Sequence, residues 1–159
     1  MRSAAALAMV ESAGAPYDPA GYPDHGSGLF LVGLESNGSI YAYALGQSSG
    51  SFQRVASLPS GQISIMDLSF DRDVGDLWAY CDNTCGNIAS VFGFGSDGRL
   101  ALRRVYDRPA GLPDSNNEGI AIAPESECVN ARKSFYWADD DDLDGHAIRR
   151  GDIPCGSLF

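Results

Sequence analysis

The chain is poor in basic residues and in histidine. Eleven lysines and arginines face 21 aspartates and glutamates, a formal charge of -10 at pH 7. A surface that negative repels phosphate backbones, which excludes nucleic acid as a partner class. It also handicaps an anionic substrate unless bound cations reverse the local field. The two histidines, His25 and His146, stand far apart and no Cys-x-x-Cys pair occurs, so zinc lacks its usual donors. No apolar run approaches the roughly 20 residues of a membrane-spanning helix. No segment repeats apolar residues at helical spacing, and no Gly-x-Ser-x-Gly elbow marks a triad hydrolase. The run "GFGSDG", Gly93 to Gly98, lacks the lysine and helix of a phosphate loop and reads as a hairpin turn.

What the chain does have is strands. Its 159 residues are 44% hydrophobic, enough for the core of one domain, and its 19 glycines are spread along the length. Short apolar runs bounded by Gly, Asn, Asp and Ser recur in a fixed order. "IMDLSFD", "DLWAYCD", "IASVFGF" and "LALRRVYD" form one set between Ile65 and Asp107. "GLFLVGL", "SIYAYAL" and "SFQRVASL" precede it as a matching set, and "EGIAIAP", "SFYWADD" and "HAIRRGD" follow it. The period is about 50 residues, that of a four-stranded propeller blade. The expected fold is all-β: one partial β-propeller domain over 1–159, in units of 3–58, 63–108 and 116–159, blades of four antiparallel strands of which the last lacks a clear fourth, since "IPCGSLF" is short.

On this register "AAALAMVES", Ala4 to Ser12, resembles "GIAIAPESE" and is the expected inner strand of the first unit. The start also imitates a signal peptide, with Arg2 ahead of a small apolar stretch, but that stretch is short and Glu11 interrupts it. About three blades cannot close a ring and leave strand edges bare. The expectation is a C-terminal half of a longer propeller, with self-association of copies as the alternative way to supply the missing half.

Four cysteines allow three pairings. Cys81 and Cys85 lie in the turn-like "CDNTCGN", while Cys128 and Cys155 lie in loop-like surroundings, which favours Cys81–Cys85 with Cys128–Cys155. Disulfides imply a secreted or periplasmic protein.

The segment "NNEGIAIAPESECVNARKSFYWADDDDLDGHAIRRGDIPC", Asn116 to Cys155, resembles the last blade of the bacterial exported phytase-like propellers, often labelled esterase-like. "YCDNTCGN" and "RPAGLPDSNNEG" add to the likeness, which runs from about Ile65 to Cys155. The resemblance implies a six-bladed propeller, calcium dependence, and phosphoester or ester hydrolysis.

Two groups of acids are candidate calcium ligands. In "WADDDDLDGH", Asp140, Asp142 and Asp144 alternate ahead of Gly145, and the His146 carbonyl follows. Alternate aspartates on a tight loop converge on one point, as a hard cation with six to eight oxygen ligands requires. The EF-hand's twelfth-position glutamate is absent, since that place holds Gly151, so the alternative is a solvated acidic turn. The second group is Asp67 and Glu118, at the starts of inner strands, with Asn116 and Asn117 beside the latter and Asp139 able to join either group. Such acids facing a central channel would hold calcium, which polarises a carbonyl or phosphoryl oxygen and activates water. The alternative is that they satisfy backbone N–H groups between blades. Glu118, Asp67 and His146 are the candidate catalytic residues, although His146 also serves as a loop cap.

Trp78, Tyr80, Tyr136 and Trp137 are expected to pack between blades, and the pairs Arg103–Arg104 and Arg149–Arg150 to lie at blade edges facing solvent. The leading expectation is thus part of an exported, calcium-binding, phytase-like hydrolase acting on a small phosphoester or ester. One rival is a non-catalytic binding or scaffold propeller with structural calcium and disulfides. The acidic balance and the lack of clustered Lys and His favour that rival over a phytate site. A gluconolactonase-like metal enzyme is the third reading.

Overall fold

A computed structural model describes residues 30–45, 50–94, 100–108, 110–111, 113–140 and 143–156. The expected strand at Ala4–Ser12, His25, Asp142 and the glycines of "GFGSDG" beyond Phe94 lie outside the described residues. Among the described residues, ten strands form three antiparallel sheets. The first sheet contains β1 (Phe30–Gly33), β2 (Ser39–Leu45) and β3 (Phe52–Pro59). The second contains β4 (Asp67–Asp71), β5 (Asp76–Tyr80), β6 (Ala89–Phe94) and β7 (Leu100–Tyr106), hydrogen-bonded in chain order. The third contains β8 (Asn117–Ile122), β9 (Arg132–Asp139) and β10 (Ile148–Pro154). Every strand-like run read from the described part of the sequence is a strand, within two residues at each end. Neighbouring strands are joined by short turns, several of which use a residue at positive φ, such as Gly75 and Gly86.

The sheets are repeats in register as well as in order. Gly33 pairs with Ile40, Tyr80 with Ala89 and Ala138 with Ile148, each as the last pair before a turn. The next N–H crosses that turn in each case: Leu34 to the Ser39 carbonyl at 2.9 Å, Cys81 to that of Ile88 at 3.0 Å, and Asp139 to that of Ala147 at 2.8 Å. Opposite the Ala42–Tyr43 step of β2 a bulge in β3 makes Val55 the extra residue of the ladder, and opposite the equivalent Val91–Phe92 step of β6 a bulge in β7 does the same with Arg103.

The side-chain period of two turns this repetition into layers. One face of the first sheet, with Ile40, Ala42, Ala44, Ala56 and Leu58, packs on Ile65, Leu77, Ala79 and Phe92 of the second sheet and its lead-in. The other face of the second sheet, with Trp78, Tyr80, Ala89 and Val91, packs on Phe135 and Trp137 of the third. We call the face toward the preceding sheet the front and that toward the following sheet the back. The second sheet is covered on both faces, so all five residues of β5 are buried. The first approaches the second closely at Gly33, where a Cβ would collide with the Ile65 side chain.

The second interface is aromatic. Trp78 stacks on Tyr106 with centroids 5.3 Å apart and planes 9° apart, and meets Phe135 at 5.6 Å, which in turn meets Trp137 at 5.6 Å. Each large apolar side chain buried this way contributes about 1.5–3 kcal/mol. Three of the four aromatics expected between sheets are there. Tyr136 is the correction: on β9 it alternates with Phe135 and Trp137, so it points to the back of the third sheet and is exposed. Arg103, Arg104 and Arg150 are exposed, as expected, whereas Arg149 is half-buried; two of the four also reach buried carboxylates. Arg103 bonds the fully buried Asp76 at 2.9 Å, and Arg149 lies 3.9 Å from buried Asp139.

Candidate functional site

The turns after β1, β5 and β9 lie at one end of their sheets, and each carries a carboxylate at the same step. Glu35, Asp82 and Asp140 each follow the residue whose N–H closes its turn. Glu118, at the start of β8, sits within electrostatic reach of all three. Burial first, and then the charges of Asp140, Asp82 and Glu35, hold its carboxyl above the usual range. Like charges brought together favour the protonated form, or a bound cation.

Glu118 takes this position because of a bulge. Asn117 pairs with Asp139 and Gly119 with Ala138, so Glu118 is the extra residue, pushed out of the ladder and exposed. The sequence repeat sets Glu118 level with Asp67, whereas the register sets Gly119 level with Asp67, both being opposite the last residue before the turn. The two acids therefore serve different ends. Asp67 accepts the Ile120 N–H from β8 through Oδ2 and the Leu68 N–H through Oδ1, both at 2.7 Å. It ties the first strand of the second sheet to the first strand of the third, which is the backbone-bracing alternative. Replacing Asp67 by alanine should cost about 1–3 kcal/mol, because the Ile120 N–H loses its acceptor. Urea denaturation measures this, and an unchanged midpoint would refute the brace.

Asp140 connects the two acidic groups that the sequence treats separately. Its carboxylate accepts two hydrogen bonds from Asn116 Nδ2, at 3.0 and 3.1 Å, and its N–H donates to the Asn116 carbonyl at 3.2 Å. This docks the start of the aspartate loop on the lead-in to Glu118. Further along, Asp144 and Gly145 both adopt positive φ, 59° and 74°, and Asp144 and His146 are exposed. Asp82 is buried; its Oδ1 caps the short 3-10 turn Asn83–Cys85 by accepting the Thr84 N–H at 2.9 Å. Asp139 points away from the loop into the protein and is buried beside Arg149.

Beneath the turns lies a buried polar node that sequence reading missed. Asn87 donates to the Ser115 carbonyl at 2.6 Å and accepts the Ser115 N–H at 3.2 Å, fixing the approach to β8. Asn117 donates to the Tyr80 hydroxyl at 3.2 Å. Burial pushes the Tyr80 phenol up to about 12, with Arg108 opposing and Asp139 and Asp114 adding to the shift, so Tyr80 is a neutral hydrogen-bonding group. The signal was present in "CGN" and "SNN", since asparagines at turn ends bond backbone.

Cys81 is bonded to Cys85 and Cys128 to Cys155, the pairing favoured by their surroundings. Among the described residues, two groups bring three potential ligand atoms within 4.8 Å of one another: Cys81, Asp82 and Cys85, and Glu125, Cys128 and Cys155. Both are built around a disulfide, whose sulfurs are spent on each other. Glu35, Asp82 and Asp140 are related to Glu118 by their electrostatic effect on it and are not drawn together as a group of this kind. Among the described residues, no helix is long and apolar enough to cross a membrane. No family model matches the chain, and no curated protein matches it.

Proposed function

We propose that the chain contributes three blades to an exported, calcium-binding propeller of the phytase-like kind. The observation that carries this reading is the recurrence of a carboxylate at one step of three successive turns, with Glu118 facing them. A repeat that sets an acid at the same rim position in each sheet concentrates negative charge that a bound cation would relieve, as protonation of Glu118 does without one. Asp140, docked on Asn116, sets the first acid of the aspartate loop beside the lead-in to Glu118. The two disulfides agree with export.

When bound, calcium would polarise a phosphoryl or carbonyl oxygen of a small ester. Glu118 and Asp140, with the free oxygen of Asp82, would hold that ion, and Glu118 would exchange a proton for it on binding. Asp67 is committed to backbone and Asp139 lies inward, which favours calcium as a brace of the turns over a full catalytic centre within these three sheets. The non-catalytic scaffold is therefore the second reading, and the two differ only in turnover.

Titration calorimetry with calcium chloride and thermal melting test the proposal. Calcium should raise the melting temperature, and acid should weaken binding as Glu118 protonates. Glu118→Gln should raise the metal-free melting temperature, because it removes a repelled charge, and should abolish most of the calcium increment. A calcium response that survives Glu118→Gln, or none in the unaltered chain, would overturn the site. Phosphomonoester or ester hydrolysis that depends on calcium and vanishes in Glu118→Gln would decide for the hydrolase over the scaffold.

A further inference from the structure

The register equivalence of the three sheets has an outer consequence. At both internal interfaces the same positions are apolar and buried. On back faces, Leu31 and Ile40 of the first sheet pack on the second, and Trp78 and Ala89 of the second pack on the third. The matching positions on the third sheet are Tyr136 and Ile148, with Arg150, opposite Tyr136, at the place that Ala42 and Val91 hold in the other two sheets. No described sheet follows, and they are 37% and 71% exposed, whereas Trp78 and Ala89 are 3% and 5% exposed.

Front faces tell the same story from the other side. Leu77 and Leu100 of the second sheet pack on the first, and Phe135 of the third packs on the second. The equivalents of Leu77 and Leu100 on the first sheet are Phe30, opposite Tyr43, and Phe52, opposite Leu45. Both are exposed, at 57% and 68%. Tyr43 joins Phe52 edge-on at 5.9 Å, and Arg54 lies over the Tyr41 ring at 4.5 Å, so this face is a continuous aromatic surface. Each end of the stack therefore carries half of an interface that the protein already makes twice.

We propose that two copies of the chain associate head to tail, the back of each third sheet receiving the front of the other copy's first sheet. A second copy is the occupant that the repeat itself specifies. Its first sheet offers Phe30 and Phe52 where the second sheet offers Leu77 and Leu100, and so continues the established packing. Ile148 and Tyr136 then lie against Phe30, Phe52 and Tyr43, as Ile40 and Leu31 lie against Leu77, Leu100 and Phe92. That the pair closes as a ring of six sheets rests on the propeller reading; the docking of the two faces does not. Such a contact is heterologous, and it makes a closed pair if the rotation between sheets closes and an open ladder if it does not.

Light scattering with size exclusion, on the full chain, tests both levels. The unaltered chain should run as a dimer. Ile148→Asp spoils only the back face and Phe52→Asp only the front, and each should run as a monomer. Both residues are exposed, so a circular dichroism spectrum unchanged from the parent is expected. Mixing the two variants should restore dimers, because the mixture still contains one intact back and one intact front. A monomeric parent chain would overturn the docking while leaving the ring reading open to blades from elsewhere. Open ladders dispersed by either substitution would support the docking and overturn the six-sheet ring. Loss of dimer with Ile148→Asp but not with Phe52→Asp would indicate back-to-back pairing and overturn the head-to-tail arrangement.

Discussion

Replacing Lys133 by methionine is expected to lower the unfolding free energy by about 3–5 kcal/mol, the cost of stranding a buried carboxylate. Lys133 lies on β9 with its side chain 1% exposed, and its ammonium contacts Asp71 at the end of β4 and Glu125 in the turn after β8. Asp71 is itself buried. Glu125 accepts the Gly156 N–H at 2.9 Å, and its own N–H donates to Asp73 at 2.8 Å. One cation thus gathers the outer ends of the second and third sheets, opposite the acidic rim. Burial alone pushes the ammonium pKa down, but the hydrogen bonds it donates to Asp71 and Glu125 outweigh it and leave it raised. The hydrogen bond from Lys133 holds the Glu125 carboxyl low. The raised lysine contributes stability that is full below its ordinary value of 10.5 and is lost as pH climbs through the raised one. The lowered glutamate contributes stability that is full above its ordinary 4.5 and is lost as pH falls through the depressed one. Urea midpoints across pH should form a plateau between these limits, and Lys133→Met should flatten both shoulders. Adding Asp71→Leu to Lys133→Met should recover much of the loss. Failure of that recovery would place the lysine's contribution in packing instead.

The second large effect belongs to the Cys128–Cys155 bond. It closes a separation of 27 residues, and losing it as the double serine variant should cost about 3–4 kcal/mol on the chain-entropy account. The Cys81–Cys85 bond spans a separation of 4, and its loss should cost only about 2 kcal/mol. Denaturation of the two double variants under non-reducing conditions measures the difference, and equal losses would refute the ranking. The larger bond also tethers Gly156 beside Glu125, so the Cys128 and Lys133 variants should combine with less than the sum of their effects.

The strands were legible because period-two alternation and turn residues are local signals. In "SIYAYAL" the alternation of small or aliphatic residues with tyrosines marks two faces, and the register repeat follows once the turns align. The exceptions have non-local causes. Lys133 precedes the expected start of its strand and reads as solvated, yet its partner Asp71 lies 62 residues away in the chain. Tyr136 sits among aromatics that are buried, and only the parity of its strand turns it outward. The bulge at Glu118 moves that acid off the Asp67 position without any residue that announces it. Glu35 and Asp82 passed unnoticed because "LESNGS" and "YCDNTCGN" share almost no residues; only their shared place in the ladder relates them. Asp67, by contrast, was assigned both its roles from sequence, and the geometry picks the bracing one.

The two-sided cover of the second sheet also has a meaning in time. Each sheet is completed by the one that follows it, about 50 residues later. At about 5–20 residues per second, the Ile40, Ala42 and Ala44 face waits several seconds for Leu77, Ala79 and Phe92 to be synthesised. During that interval the nascent chain shows an apolar face with no cover of its own, and then repeats the exposure with Trp78 and Tyr80 before Phe135 and Trp137 arrive. The order of the repeats thus sets successive intervals in which an apolar face is open to aggregation before its cover is made.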